Sequence, residues 1–199
     1  MAKISLQITT FLLVLSIPKP NFSATTRLRF LASCEPYDTL KSDKTLKCDA
    51  PDVCCKAGGV YDLYNCSPPL MTSTPAIMTE NNFTDPADTG DPPSCIENGD
   101  MVHIDYPGTG ATEKVVALST GWYSNKKLCK RQIKITALKT GKSTTAMVID
   151  ECASDAGCDQ KHANQQPCRN NIVDASPSVW KALALDPDIG EAKITWSLL

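Results

Sequence analysis

Lys142-Ser-Thr-Thr-Ala-Met-Val-Ile-Asp-Glu-Cys152-Ala-Ser-Asp-Ala-Gly-Cys158 is the stretch whose reading decides the fold. After the turn signal Thr140-Gly141, the alternation predicts a β-strand with Ala146, Val148 and Asp150 on one face and Met147, Ile149 and Glu151 on the other. The strand ends at a carboxylate pair and a half-cystine. In a small secreted barrel, that exit places Asp150 at the mouth of a groove, with Glu151 facing away. The plainer alternative is an Asp150 side chain that caps the next turn.

Neighbouring segments extend the same pattern. Lys114 to Thr120 is an apolar, β-branched run that stops at Gly121-Trp122-Tyr123, and Gln132 to Leu138 sets Ile133, Ile135 and Ala137 against polar partners. Asn171 to Asp174 reads as a short apolar strand. Ser176-Pro177 then opens a helix, with Pro177 at its first position, Val179, Trp180 and Leu183 on its apolar side, and Asp186-Pro187 as its stop. Trp180 is its core anchor. Ala192, Ile194 and Trp196 alternate with Lys193 and Thr195 in a last half-buried strand. Several short strands and a single helix, all from about Val115 onward, define an all-β barrel rather than a parallel α/β sheet.

The 199 residues suit one domain with a short additional module. A net charge of −2, with Lys and Arg interleaved among Asp and Glu, argues against a nucleic-acid partner. Residues 1–24 carry Lys3 and an apolar run from Ile8 to Ile17, the length of a signal-peptide core and short of a membrane span. Cleavage near Ser23-Ala24 removes Lys3 and Lys19, taking the net charge from −2 to −4. Secretion to the extracellular space, with no membrane attachment, is the expectation.

Ten cysteines fit that compartment: Cys34, Cys48, Cys54, Cys55, Cys66, Cys95, Cys129, Cys152, Cys158 and Cys168. They read as five disulfides whose pairing the spacing leaves open. No metal site or cofactor is expected, because Cys-x-x-Cys is absent and His103 and His162 lack ligand spacing. Residues 25–66 form a Cys-rich N-terminal extension with little apolar periodicity, which cross-links must hold. Residues 67–113 follow as a Pro/Thr/Asn-rich wrapping segment, where repeated prolines forbid central-strand pairing. It contains the sequon Asn82-Phe83-Thr84, the expected N-glycosylation site; Asn65-Cys66-Ser67 is a sequon in form, and Asn21 falls in the leader. Residues 114–199 make the barrel.

In order, these pieces resemble a double-psi β-barrel of the kind shared by barwin, the first domain of expansins and lytic transglycosylases of the rare-lipoprotein type. One plant family is closer. Cys-Ser-Pro-Pro (66–69), Ser-Thr-Pro-Ala (73–76), Val-Ala-Leu-Ser-Thr-Gly-Trp-Tyr (116–123), Asp-Glu-Cys (150–152), Gly-Cys-Asp (157–159), Pro-Cys-Arg-Asn-Asn-Ile-Val-Asp (167–174) and Ile-Thr-Trp-Ser (194–197) resemble the kiwellin, or ripening-related, proteins.

The resemblance implies a secreted plant protein of fruit and defence tissue whose barrel is a binding scaffold, the partner being a secreted pathogen protein such as a fungal chorismate mutase. A cell-wall polysaccharide is the alternative partner, recognised in expansin-like fashion by Trp122 and Tyr123. Glycoside cleavage would fall to Asp150, placed like the acid of the transglycosylases, and Asp174, placed like the acid of the expansins. Here Ile172-Val173 precede Asp174 where the expansin motif has a His-Phe pair. No Gly-x-Ser-x-Gly elbow supports a serine nucleophile. A monomeric, non-enzymatic binder is the expected form.

Overall fold

The computed structural model describes residues 34–48, 52–83, 93–95 and 114–199. The leader and its predicted cleavage site, Asn21, His103 and Thr84 of the Asn82 sequon lie outside the described residues. The elements are β1 (Asp38–Lys41), β2 (Val60–Leu63), β3 (Thr74–Glu80), β4 (Val115–Ser119), α1 (Thr120–Tyr123), β5 (Gln132–Ala137), β6 (Ser143–Cys152), β7 (Ile172–Ala175), α2 (Pro177–Ala182) and β8 (Ala192–Leu198).

Strand β6 does run through the deciding stretch, and it forms one stave of a closed barrel of order β3-β7-β4-β6-β5-β8. The pairs β3·β7 and β4·β6 are parallel, and the other four are antiparallel. Six strands closing through two parallel pairs make the all-β, double-psi architecture that the motifs implied. Alternation fills the interior: Val116 and Leu118, Ile133 and Ile135, Ala146 and Val148, Val173 and Ala175, and Ile194 and Trp196 belong to one buried cluster. Trp122 meets Trp196 edge to face with ring centroids 5.2 Å apart. Helix α2 adds Val179 and Trp180 to this core, and the Trp180 indole donates to the Thr79 carbonyl at 3.0 Å.

Two expectations are corrected. The barrel starts inside the wrapping segment: β3 pairs with both β7 and β8, although Pro75 lies in it. Pro75 is exposed at the second residue of the strand, where a missing donor costs little, so the prolines there do not exclude pairing. A second short helix, α1, follows β4 at once. Its Gly121 lies against the Cys66–Ser67 backbone so closely that a Cβ would collide with it.

The N-terminal extension holds a two-stranded antiparallel sheet, with Asp38 opposite Leu63 and Lys41 opposite Val60. All ten cysteines are paired: Cys34–Cys66, Cys48–Cys54, Cys55–Cys158, Cys95–Cys129 and Cys152–Cys168. Cys55–Cys158 spans 103 residues and ties the extension to the loop after β6. Backbone bonds run beside it, from Tyr64 N to Ser154 O at 2.7 Å and from Gln166 N to Val53 O at 2.8 Å. Among the described residues no helix is long and apolar enough to cross a membrane.

Loop-closure entropy makes this long staple the most stabilising of the five. Replacing Cys55 and Cys158 together by Ser should cost about 2–5 kcal/mol in urea unfolding, against less for Cys48 and Cys54, which close only 6 residues. Equal losses from the two pairs would contradict this ranking.

Candidate functional site

The pairing of β4 with β6 shifts by one residue along its length. Val115 and Val116 lie opposite Met147 and Val148, but Ala117 and Leu118 lie opposite Asp150 and Glu151, so Ile149 is the extra residue of a bulge. Simple alternation put Asp150 on the Ala146–Val148 face. The bulge instead sets it beside Ala117, outside the barrel, because one inserted residue reverses every later side chain. Ala117 and Ile149 join Phe83 and Val115 in a second buried cluster on this outer side.

Asp174 is opposite Ala117 on the other flank and opposite Thr79 on its far side. Directly opposed residues share a face, so Thr79, Asp174, Ala117 and Asp150 form one row across β3, β7, β4 and β6. The two candidate carboxylates are thus brought together, with Cα atoms roughly 10 Å apart across two strand spacings.

Both carboxylates are heavily engaged. Asp150 Oδ1 accepts from Ser94 N at 2.8 Å, Ser94 Oγ at 2.7 Å and Glu151 N at 2.8 Å. The bond from Glu151 is local to β6, and the other two clasp Ser94. Cys95 N donates to Ile149 O at 2.9 Å, and Cys95–Cys129 fastens the same segment covalently. Asp174 accepts from Thr79 Oγ1 at 2.5 Å and Asn81 Nδ2 at 3.0 Å.

Neither aromatic candidate is a platform. Trp122 is 3% exposed and Tyr123 2%. The Trp122 indole donates to Pro68 O at 2.7 Å, while the Tyr123 hydroxyl meets Ser94 Oγ at 2.8 Å. Both belong to the barrel's core cluster, on a helix that directly follows β4. Burial pushes the Tyr123 phenol above its ordinary value; the Ser94 bond opposes this, and the Glu151 and Asp150 charges add to it. Asn82 is half-buried beside Phe83, which is 4% exposed.

Glu151, expected to face away, sits opposite Leu118 at the end of the barrel. Thr120 Oγ1 donates to it at 2.6 Å, and the same hydroxyl accepts from Ser154 N at 2.8 Å. Burial raises the Glu151 carboxyl above its usual range; Thr120 opposes, Asp155 and Asp150 reinforce, and His162 opposes. His162 is held by Asp159, its Nδ1 2.8 Å from Oδ1. Burial works against the ionised Asp159, but the bonds from His162 outweigh it and hold that carboxyl below its usual range. Sequence reasoning missed Ser94, Thr120, Thr79 and Asn81, since each acts through a partner far along the chain. Among the described residues no cluster of His, Cys, Asp and Glu could hold a metal ion.

A closed double-psi barrel with a disulfide-bound N-terminal module defines a class of cysteine-rich barrel proteins. The Kiwellin-1 family matches residues 7–198, and the chain belongs to it. It is 44% identical to the ripening-related protein grip22 of Vitis vinifera over 84% of this chain and 66% of the relative. Putative ripening-related protein 2 of Oryza sativa subsp. japonica is 47% identical over 82% of this chain and 79% of the relative. Kiwellin of Actinidia chinensis var. chinensis is 48% identical over 71% of this chain and 62% of the relative. The chain thus spans about two thirds of the length of grip22 and kiwellin.

Similar solved structures include the apo expansin of Clavibacter michiganensis, at 19% identity and TM-score 0.42 over 64% of this chain and 50% of that one. The Streptomyces papain inhibitor aligns at 20% identity and TM-score 0.42 over 66% of this chain and 97% of its own. Disulfides throughout the described chain and relatives of the kiwellin family fit a secreted protein.

Glu151→Gln isolates the cost of that buried charge. The folded value lies above the ordinary 4.5, so folding favours the protonated carboxyl, and the native state loses stability as pH rises through that window. The Gln variant, which keeps an acceptor for Thr120, should melt at or above the wild-type temperature at pH 7, and its advantage should vanish below pH about 4. A lower melting temperature at pH 7 would contradict the burial of an ionised Glu151.

Proposed function

We propose that this chain is a secreted, non-enzymatic binding scaffold of plant defence whose partner is a secreted pathogen protein, such as a fungal chorismate mutase. The observation that carries the reading is the state of the two carboxylates. Asp150 and Asp174 are spent on clasping Ser94, Thr79 and Asn81, which serves a rigid display of the surrounding loops. Kiwellin-family membership supports the same view. The scaffold acts as a monomer in the apoplast, after removal of residues 1–24 and glycosylation at Asn82.

A second reading has one observation in its favour. Asp150 and Asp174 share a row, and their backbone spacing allows the carboxyl separation of roughly 6.5–9.5 Å used by inverting glycosidases. Wall-polysaccharide recognition through Trp122 and Tyr123 has no such support, because both are buried.

One sample distinguishes these. The oxidised protein is used to capture ligands from apoplastic fluid of fungus-infected plants, while chitin, cellulose and peptidoglycan digestion is measured in parallel. Capture of a pathogen protein, with no sugar released and with affinity kept in Asp150→Asn, is the expected result. Release of soluble oligosaccharide that Asp150→Asn abolishes would replace the scaffold reading with catalysis.

A further inference from the structure

Charge is not interleaved everywhere. Residues 114–149 carry eight of the chain's 20 Lys and Arg and none of its 22 Asp and Glu, although the whole chain is net negative. This stretch contributes β5 and most of β6, and their neighbour β8 is equally free of acids from Ala192 to Leu198. Three of the eight, Lys134, Lys139 and Lys142, lie on or beside β5 and β6, where Lys193 of β8 joins them on one wall of the barrel.

Register sets the pattern on that wall. Lys134 is flanked by Thr145 and Ser197, and Thr136 by Ser143 and Thr195. Ile133, Ile135 and Ala137 point into the core, so these two rows face outward. Lys134, Thr145 and Ser143 are exposed, and the Thr136 and Ser143 hydroxyls lie 2.8 Å apart. The hairpin turn at one end of β5 adds exposed Lys139 and Lys142. Lys193 is exposed on the adjoining end of β8, where its carbonyl accepts from Leu138 N at 3.0 Å. Among the described residues, Lys134, Lys139, Lys142 and Lys193 have no carboxylate partner; the ion pairs there are His162–Asp159 and Arg169–Glu191. The wall offers roughly 20 Å of strand, set with ammonium groups and hydroxyls.

We propose that the outer face of β6, β5 and β8 binds an acidic polysaccharide, a polymer of uronic acids. Ammonium groups complement repeated carboxylates, and Thr and Ser hydroxyls, each both donor and acceptor, complement sugar hydroxyls. The two outward rows carry no aromatic ring, which neutral glycans use for stacking; the exposed apolar side chain of the patch, Leu138, lies at the turn end beside Lys139 and Lys193. The inference goes beyond the protein-binding reading and rests on the β6-β5-β8 wall rather than on the carboxylate row, so either can fail alone.

The test uses the intact, oxidised protein against de-esterified polygalacturonate, its methyl ester, a neutral β-glucan and poly-glutamate, with anionic phospholipid vesicles as a further arm. Retention on polygalacturonate should exceed that on every other probe and weaken between low and physiological salt. The triple variant Lys134→Gln, Lys139→Gln, Lys142→Gln should bind roughly tenfold more weakly, three surface-strength charge contacts being lost. These side chains are exposed, so near-UV circular dichroism and thiol titration should match the parent protein. Retention that ignores esterification, survives the triple substitution, or is equalled by poly-glutamate or vesicles would overturn the proposal. In a second variant, Thr145→Val removes a hydroxyl and no charge; it should lower polygalacturonate binding and leave any residual poly-glutamate binding unchanged.

Discussion

Strand β4 is held between β6 and β7, and the one-residue bulge at Ile149 fixes which side chains of β6 point where. Before the bulge, Val116 and Val148 fill the core together; after it, Asp150 stands beside Ala117 and Glu151 beside Leu118. The rest of the site follows from that shift. Asp150 then meets Ser94, and Phe83 packs with Val115, Ala117 and Ile149. Full burial of a Phe side chain contributes about 1.5–3 kcal/mol, so this outer cluster helps hold the segment after β3 against the barrel.

The N-terminal module relies on different forces. Few of its side chains are buried, Leu63, Cys54 and Cys55 among them, and a two-stranded sheet alone is marginal in water. Disulfides and backbone hydrogen bonds substitute for a core. Cys55–Cys158 and the bond from Tyr64 to Ser154 meet the barrel at the loop that follows β6, so one region anchors both the module and the carboxylate site.

The barrel thus presents two chemically opposite walls. On the β3-β7-β4-β6 side, Asp150 and Asp174 are engaged in internal hydrogen bonds, and Trp122 and Tyr123 lie in the core. On the β6-β5-β8 side, cations and hydroxyls face outward without internal acidic partners among the described residues. Closing a sheet into a barrel removes its edges and leaves each outer face free to carry its own composition.

Alternation and punctuation in the sequence determined β4, β5, β6, β7, β8 and α2 to within a residue or two at most ends, because burying one face of a strand imposes a period of two locally. Cysteine count and spacing likewise determined that the N-terminal module would be stapled, but not how. Tertiary structure alone decided the ten-cysteine pairing, the entry of Thr74–Glu80 into the barrel and the meeting of Asp150 with Asp174 across Ala117. It also decided that Trp122 and Tyr123 would be buried. These depend on contacts between residues tens of positions apart, and on an inserted residue that reverses the strand's facing without leaving any mark on its local composition.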